Sequence, residues 1–317
     1  MKPPLKRDHG GNIDDACAKF GGTRSDWIDL STGINPVPYP VPTVSSDAWS
    51  NLPDASATQA LITAARAFWD ISTDWDVLPT AGASAIISAL PKTISGTRVA
   101  IPQPTYNEHQ AAFETHGWTV SETAPDVQVL VHPNNPTGQV WSMSDRLAPL
   151  SIIDESFADV DPNLSFVPHS SPQNTFILKS FGKFWGLAGV RLGFAIGSPE
   201  LIQRLRAHIG PWNASGPAIE IGTAALQDIT WAQQTRKRLD QDAARLDDLV
   251  LSLLPVKFAG GCSLFRLYSV ENAQAIQEAL AQHHIWSRVF PYSTNYIRLG
   301  LPHPNQWSRL ESALRHG

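Results

Sequence analysis

The chain has 317 residues, 42% of them hydrophobic, with a formal net charge of −5 and a pI near 6.0. That length allows a large core and at least two structural units, while the acidic balance argues against nucleic acid as a partner, which calls for clustered Lys and Arg. No apolar run reaches the roughly 18–20 residues that cross a bilayer, so no membrane partner is expected. The start, Met1-Lys2-Pro3-Pro4-Leu5-Lys6-Arg7-Asp8, has a basic edge with no apolar stretch behind it, unlike a secretory signal. Cys17 and Cys262 stand far apart without metal-ligand spacing. They read as reduced thiols of a cytoplasmic protein, and no metal site is expected.

In chain order, the first forty residues are rich in Pro and Gly and read as an extended arm with a short helix near 13–20. From 80 to 197, short apolar runs alternate with amphipathic segments. Strands are expected at 97–102, 127–132, 150–154, 174–179 and 190–196, with helices at 83–94 and 108–116. Such alternation predicts an α/β fold with a mainly parallel sheet sandwiched by helices. Helices follow at 199–208, 217–227 and 231–254. The last segment reads as a smaller α+β unit: strands at 256–260 and 264–270 around Gly260-Gly261, a helix at 273–283, two short strands ending at Arg288 and Leu301, and a terminal helix from Gln306. The expected division is an arm over 1–40, a large domain over 41–230 and a small domain over 231–317.

The most informative stretch is Ser180-Phe181-Gly182-Lys183-Phe184-Trp185-Gly186-Leu187-Ala188-Gly189-Val190-Arg191-Leu192-Gly193. It joins two strand candidates, so Lys183 belongs at a strand end, where α/β proteins place their chemistry. Desolvation in an aromatic, glycine-flanked loop depresses an ammonium pKa and makes an amine nucleophile. The glycines let backbone approach a ligand closely, and the Ser180 hydroxyl and the Arg191 fork suit a phosphate. A lone lysine in a loop is otherwise a solvated surface charge.

S-x-x-K followed by G-L-A-G-x-R-x-G resembles the cofactor-lysine segment of the class I and II aminotransferases, particularly the histidinol-phosphate aminotransferase group. The resemblance implies a pyridoxal 5′-phosphate (PLP) enzyme of fold type I, with Lys183 carrying the cofactor as a Schiff base. Six further segments stand in the family's order, so that the seven span Thr80 to Gly300. Thr80-Ala81-Gly82-Ala83-Ser84 resembles the phosphate loop, in which Gly82, Ala83 and Ser84 open a helix whose N–H groups bind an anion. Pro104-Thr105-Tyr106 is similar to the segment whose ring stacks on the pyridine. Pro133-Asn134-Asn135-Pro136-Thr137-Gly138 matches the turn in which Asn135 binds the cofactor's phenolic oxygen and contacts the substrate. Ile152-Ile153-Asp154-Glu155-Ser156-Phe157 ends a strand in the Asp154 carboxylate, which in the family pairs with the pyridinium nitrogen and makes the ring an electron sink. Pro211-Trp212-Asn213 resembles a packing signature, and Tyr296-Ile297-Arg298-Leu299-Gly300 the segment whose arginine grips the substrate carboxylate. From the residues alone, a helix N-cap, a core tyrosine, a common turn and a capping aspartate are second readings of Ser84, Tyr106, Asn135 and Asp154.

Phe157 stands where transaminases of the family usually have Tyr. Together with Lys183-Phe184-Trp185, His9-Gly10-Gly11-Asn12-Ile13 and Leu30-Ser31-Thr32-Gly33-Ile34-Asn35-Pro36, it resembles the branch of the family that decarboxylates L-threonine O-3-phosphate in cobalamin biosynthesis. Gly33 replaces an Asn of that branch, which leaves a backbone N–H for the substrate. Arg288, in His284-Ile285-Trp286-Ser287-Arg288, is similar to the arginine that takes the substrate phosphate, and His9 is a second candidate; a surface arginine and a loose arm are the alternatives. The resemblance thus implies a phosphorylated amino acid as substrate and a homodimer. Histidinol-phosphate-type amino transfer to 2-oxoglutarate is the alternative reaction. No Gly-x-Gly-x-x-Gly follows a first strand, which argues against a nicotinamide dehydrogenase.

Overall fold

A computed structural model gives the fold and describes residues 8–316. The described residues form two compact units. One takes those up to Val37, Pro136–Gly138 and those from Lys237; the other takes Pro38–Asn135 and Gln139–Arg236.

The second unit is built on a seven-stranded sheet. Its order from one edge is Asp76–Thr80, Gly193–Gly197, Thr175–Ser180, Leu150–Asp154, Val127–Val131, Arg98–Ala100 and Thr119–Val120. Gly193–Gly197 runs antiparallel to both neighbours, and the remaining pairs are parallel. The central strands are buried along most of their length and mainly apolar because helices cover the sheet. Ile86, Ile87 and Leu90 of the helix Ala83–Thr93 pack with Val99, Val129, Ile152 and Phe176 in one buried cluster. The helices Ala55–Phe68 and Gly216–Gln227 pack on each other. A Cβ at Gly222 would stand 2.4 Å from Leu192 Cδ2, so glycine sets how closely that helix approaches.

The mainly parallel sheet agrees with the sequence expectation, and three differences have physical reasons. The expected strand 190–196 begins only at Gly193, because Ala188–Val190 form a 3₁₀ turn and Arg191 takes φ +56°. The strand Asp76–Thr80 was not expected. Its Pro79 argues against a strand in sequence, but a proline is tolerated at an edge, where this strand lies. The helix Ala55–Phe68 also went unread; Asp54 caps it by accepting from Ala57 N–H at 2.9 Å.

In the first unit a four-stranded antiparallel sheet has the order Arg288–Phe290, Ser293–Gly300, Phe265–Ser269 and Lys257–Cys262. The segment near the N-terminus has the short helix expected near 13–20 and adds a strand that the sequence reading did not include. Ile28–Asp29 pairs in parallel with Ile285–Trp286, and Ile13 and Ala16 of the helix Ile13–Phe20 pack with Trp27 and Ala281. Thr137 and Gly138 lie against Gly260 and Gly261 so closely that a Cβ at Gly138 would sit 2.1 Å from Gly261 O. Among the described residues no helix is long and apolar enough to cross a membrane.

Candidate active site

Parallel strands deliver their last residues to one end of a sheet, and the loops there carry function. Asp154 closes Leu150–Asp154, and Lys183 follows the neighbouring strand Thr175–Ser180 by three residues. Asp154 pairs in register with Leu178, so the two turns start side by side. The Asp154 carboxylate is 2% exposed. It accepts from the Ser156 N–H at 3.0 Å and hydroxyl at 2.5 Å on Oδ1, and its Oδ2 stands 2.8 Å from His109 Nε2. Burial opposes its ionisation, but the His109 hydrogen bond and charge and the Ser156 donors outweigh burial, and the carboxyl is held below its usual value. Lys183 Nζ lies 5.3 Å from the ring centroid of the buried Phe157.

Sequence reading missed His109. It sits three residues after Tyr106, which precedes the helix Asn107–Thr115, and the two rings meet edge to face at 6.1 Å. Spacing of three at a helix start was the available signal, since it brings side chains to one face. The contact that matters spans 45 positions, and no local pattern reveals it.

The turn carrying Asn135 is tied to the segment carrying Tyr106. Asn134 donates to Pro104 O at 2.9 Å and accepts from the Thr105 hydroxyl at 2.6 Å. Just before it, His132 Nδ1 accepts from the Trp141 N–H at 3.0 Å, which assigns the proton to Nε2, 2.7 Å from Leu164 O. Burial first, with Lys179 adding, lowers the His132 pKa against the pull of Glu155 and the Leu164 carbonyl.

An anion cradle stands at the start of the helix Ala83–Thr93. Gly82 is its N-cap at φ +84°, and no side chain caps the first turn. A Cβ at Gly82 would lie 2.7 Å from Arg191 Nη2, and one at Gly193 would lie 2.5 Å from Ala83 N. The two glycines therefore bring a guanidinium against the positive end of a helix. That placement is electrostatically unfavourable unless an anion is shared between them. Ser180, half-buried at the end of its strand, accepts from the Gly182 N–H at 3.2 Å. Gly82, Ala83, Ser84 and Arg191 fit the phosphate of the cofactor that the sequence implies.

Beneath this site lies a buried ionic cluster that the sequence did not announce. Lys179 Nζ is 2.6 Å from Glu155 Oε2 and 3.4 Å from Asp159 Oδ1. Asp159 also accepts from the Trp69 indole at 2.8 Å and the Trp185 indole at 3.2 Å. Burial favours neutral Lys179, but Glu155 and Asp159 outweigh it and its pKa is raised. Trp185 follows Lys183 by two residues, so Asp159 anchors the lysine loop to the turn behind Asp154.

The remaining predicted residues belong to the first unit. Arg298, 5% exposed, donates to Ser31 O at 2.6 Å and stacks 5.2 Å from the Phe265 ring. Burial and the neighbouring Arg288 push its pKa down to about 10. Gly33 is buried just past Thr32, whose carbonyl would lie 2.2 Å from a Cβ at Gly300, two residues beyond Arg298. Arg288 pairs with Asp8, and both line a cavity of about 610 Å³ with the exposed His9.

The chain matches the aminotransferase class I and II profile over residues 25–132 and 122–311. It is 37% identical to a threonine-phosphate decarboxylase of Sinorhizobium sp, with 92% of each chain covered. It is 36% identical to one of Pseudomonas aeruginosa, with 97% of each covered. Its fold is similar to that of histidinol-phosphate aminotransferase from Sinorhizobium meliloti in complex with pyridoxal 5′-phosphate, at a TM-score of 0.84 and 17% identity, covering 99% of this chain and 96% of that one. Profile and relatives agree, and the chain belongs to the class I and II aminotransferase family.

Proposed function

We propose that the protein is a PLP-dependent lyase that converts L-threonine O-3-phosphate to (R)-1-amino-2-propanol O-2-phosphate and CO₂, a step of cobalamin biosynthesis. The observation that carries this reading is the likeness, over nearly the whole chain, to two threonine-phosphate decarboxylases. When bound, PLP supplies the electron sink for the bond broken at Cα. Lys183 is the covalent anchor, and with water it is the source of the proton that replaces CO₂. Asp154, kept ionised by Ser156 and His109, holds the proton on the ring nitrogen. Gly82, Ala83, Ser84, Ser180 and Arg191 take the cofactor phosphate, Tyr106 the ring face and Asn135 the ring oxygen. Arg298 orients the departing carboxylate, Arg288 and His9 take the substrate phosphate, and the Gly33 backbone offers an N–H. We further read the protein as a cytoplasmic homodimer.

Holoenzyme incubated with L-threonine O-3-phosphate is expected to release CO₂ and the amino alcohol phosphate in equal amounts, with no need for 2-oxoglutarate. A product that keeps its carboxylate and forms only when 2-oxoglutarate is present would replace this reading with amino transfer.

Phe157 gives a second test, because its ring faces Lys183 Nζ and has no hydroxyl to donate to the cofactor. Phe157→Tyr is expected to add a donor that favours the deprotonated form of the lysine-linked cofactor. A neutral hydrogen bond contributes about 0.5–1.5 kcal/mol, so the pKa of the visible band should fall by roughly one unit or less. A spectroscopic pH titration of the two proteins measures it. A folded variant with an unchanged or raised pKa would remove Phe157 from the cofactor's surroundings.

A further inference from the structure

The loop that carries Lys183 is pinned into the core on both sides of the lysine. Phe181, Phe184 and Trp185 are fully buried, while Lys183 among them is half-buried. Backbone bonds close the loop: the Phe181 N–H donates to Leu192 O at 3.0 Å, and the Leu187 N–H to Phe181 O at 3.2 Å. The Trp185 ring is stacked between Phe181 and Trp231, with centroids at 5.0 Å and 5.3 Å. Stacking fixes the plane of a ring but not its rotation within that plane, whereas a hydrogen bond fixes a direction. The Trp185 indole N–H makes that bond, donating to Asp159 Oδ2 at 3.2 Å.

Asp159 brackets the lysine. Its buried carboxylate takes Lys179, four residues before Lys183, and Trp185, two residues after it. Arg236 extends the hold to Phe184: its Nε donates to Asp159 O at 2.9 Å, and its guanidinium lies 5.3 Å from the Phe184 ring. The third donor to the carboxylate, the Trp69 indole at 2.8 Å, comes from outside the loop, at the end of the helix Ala55–Phe68. An ionised carboxylate accepts from all three donors, whereas an amide in its place would turn its own N–H groups toward one of them. Asp159 lies in the 3₁₀ turn Ala158–Val160, tied back by the Ala158 N–H to Glu155 O at 3.1 Å. One short stretch of chain thus carries Asp154, the Phe157 ring that faces Lys183 Nζ, and the carboxylate that holds the lysine loop.

We propose that Asp159 and Trp185 are positioning residues for the reaction, and that their hydrogen bond sets where Lys183 stands relative to Asp154. The proposal rests on the reading of Lys183 as the cofactor lysine made above. On that reading Lys183 moves a proton while Asp154 holds another on the ring nitrogen, so the spacing of the two has to be kept while the bond at Cα breaks. Misplacement by about 1 Å costs on the order of 10²-fold in rate. Loss of one hydrogen bond to a charged group favours local opening of the loop by about tenfold. The bond lies in the core and touches no substrate, so its loss acts on the chemical step and leaves substrate binding as it was.

The test compares, in the holoenzyme, two tryptophans that donate to the same carboxylate. Trp185→Phe and Trp69→Phe each remove one indole donor from Asp159 and leave the charges of the cluster in place, but only Trp185 belongs to the lysine loop. Trp185→Phe is expected to lower kcat for L-threonine O-3-phosphate about tenfold with KM unchanged. Amide hydrogen exchange over residues 181–187, read by mass spectrometry without substrate, should quicken about tenfold in the same variant. Trp69→Phe is expected to keep the wild-type kcat, KM and loop exchange, although both variants should melt at a lower temperature. Asp159→Asn should slow kcat at least as much as Trp185→Phe, and adding Trp185→Phe to it should cause no further loss. The tryptophan pair decides the matter even if Asp159→Asn unbalances the buried charges and fails to fold. Equal losses of kcat in the two tryptophan variants, or a raised KM with unchanged kcat in Trp185→Phe, would make the indole bond merely structural and overturn the proposal. Borohydride reduction and peptide mass spectrometry check the underlying reading, and a pyridoxyl group on a lysine other than Lys183 would remove that reading and the proposal together. With the group on Lys183 and kcat unmoved by Trp185→Phe, the reading stands and the proposal alone fails.

Discussion

Lys183→Ala should bind PLP without a covalent bond and lose turnover by at least the factor typical of a positioned proton-transfer group, on the order of 10²–10⁴. The physical ground is the contrast between two lysines at the same end of the same strand. Lys179 is buried with its ammonium 2.6 Å from Glu155, and that pair raises its pKa and holds it protonated, without the lone pair an amine nucleophile needs. Lys183 lies past the strand end in a turn closed by the Gly186 N–H to Lys183 O at 3.1 Å, with its amine over the Phe157 ring. Borohydride reduction of the wild-type holoenzyme followed by peptide mass spectrometry should therefore place the pyridoxyl group on Lys183. Finding it on Lys179 or any other lysine would overturn the assignment, whatever the activity of the variant.

Asp154→Asn should slow turnover by on the order of 10²-fold or more, because a charge-assisted contact to the ring nitrogen is lost where electron density has to be drawn. The same substitution removes the carboxylate that His109 and Ser156 hold. A stability measurement separates the two effects. The folded pKa of Asp154 is depressed, so its contribution to stability is fully present above the ordinary value of 3.8 and is lost as pH falls through the lower folded value. The difference in unfolding free energy between wild type and Asp154→Asn should therefore be constant near neutral pH and shrink only in strong acid. Turnover close to the wild-type rate at neutral pH would show that the ring nitrogen does not depend on this carboxylate.

What the amino-acid sequence determined by itself was local. The mainly apolar segments at 127–131, 150–154 and 175–180 became central strands because a strand covered on both faces buries side chains at successive positions, and a short apolar-rich segment is read without knowing its neighbours. Lys183, Asp154, Asn135 and the Gly82-Ala83-Ser84 turn were singled out because short motifs around them resemble those of a known family, and their roles here are proposals. Tertiary structure decided which of these groups meet. His109 reaches Asp154 across 45 positions, and Asp8 reaches Arg288 across 280. A polar pair of that kind depends on how helices and strands pack, and neither partner carries a period that points to the other. Pro79 could become part of a strand only because that strand lies at the sheet edge, where a missing N–H goes unneeded. Gly193 looked like the last glycine of a loop motif; packing sets it against the start of the helix Ala83–Thr93, where a Cβ would come 2.5 Å from Ala83 N. Periodicity reports which face of an element is buried, and only the packed chain reports what that face is buried against.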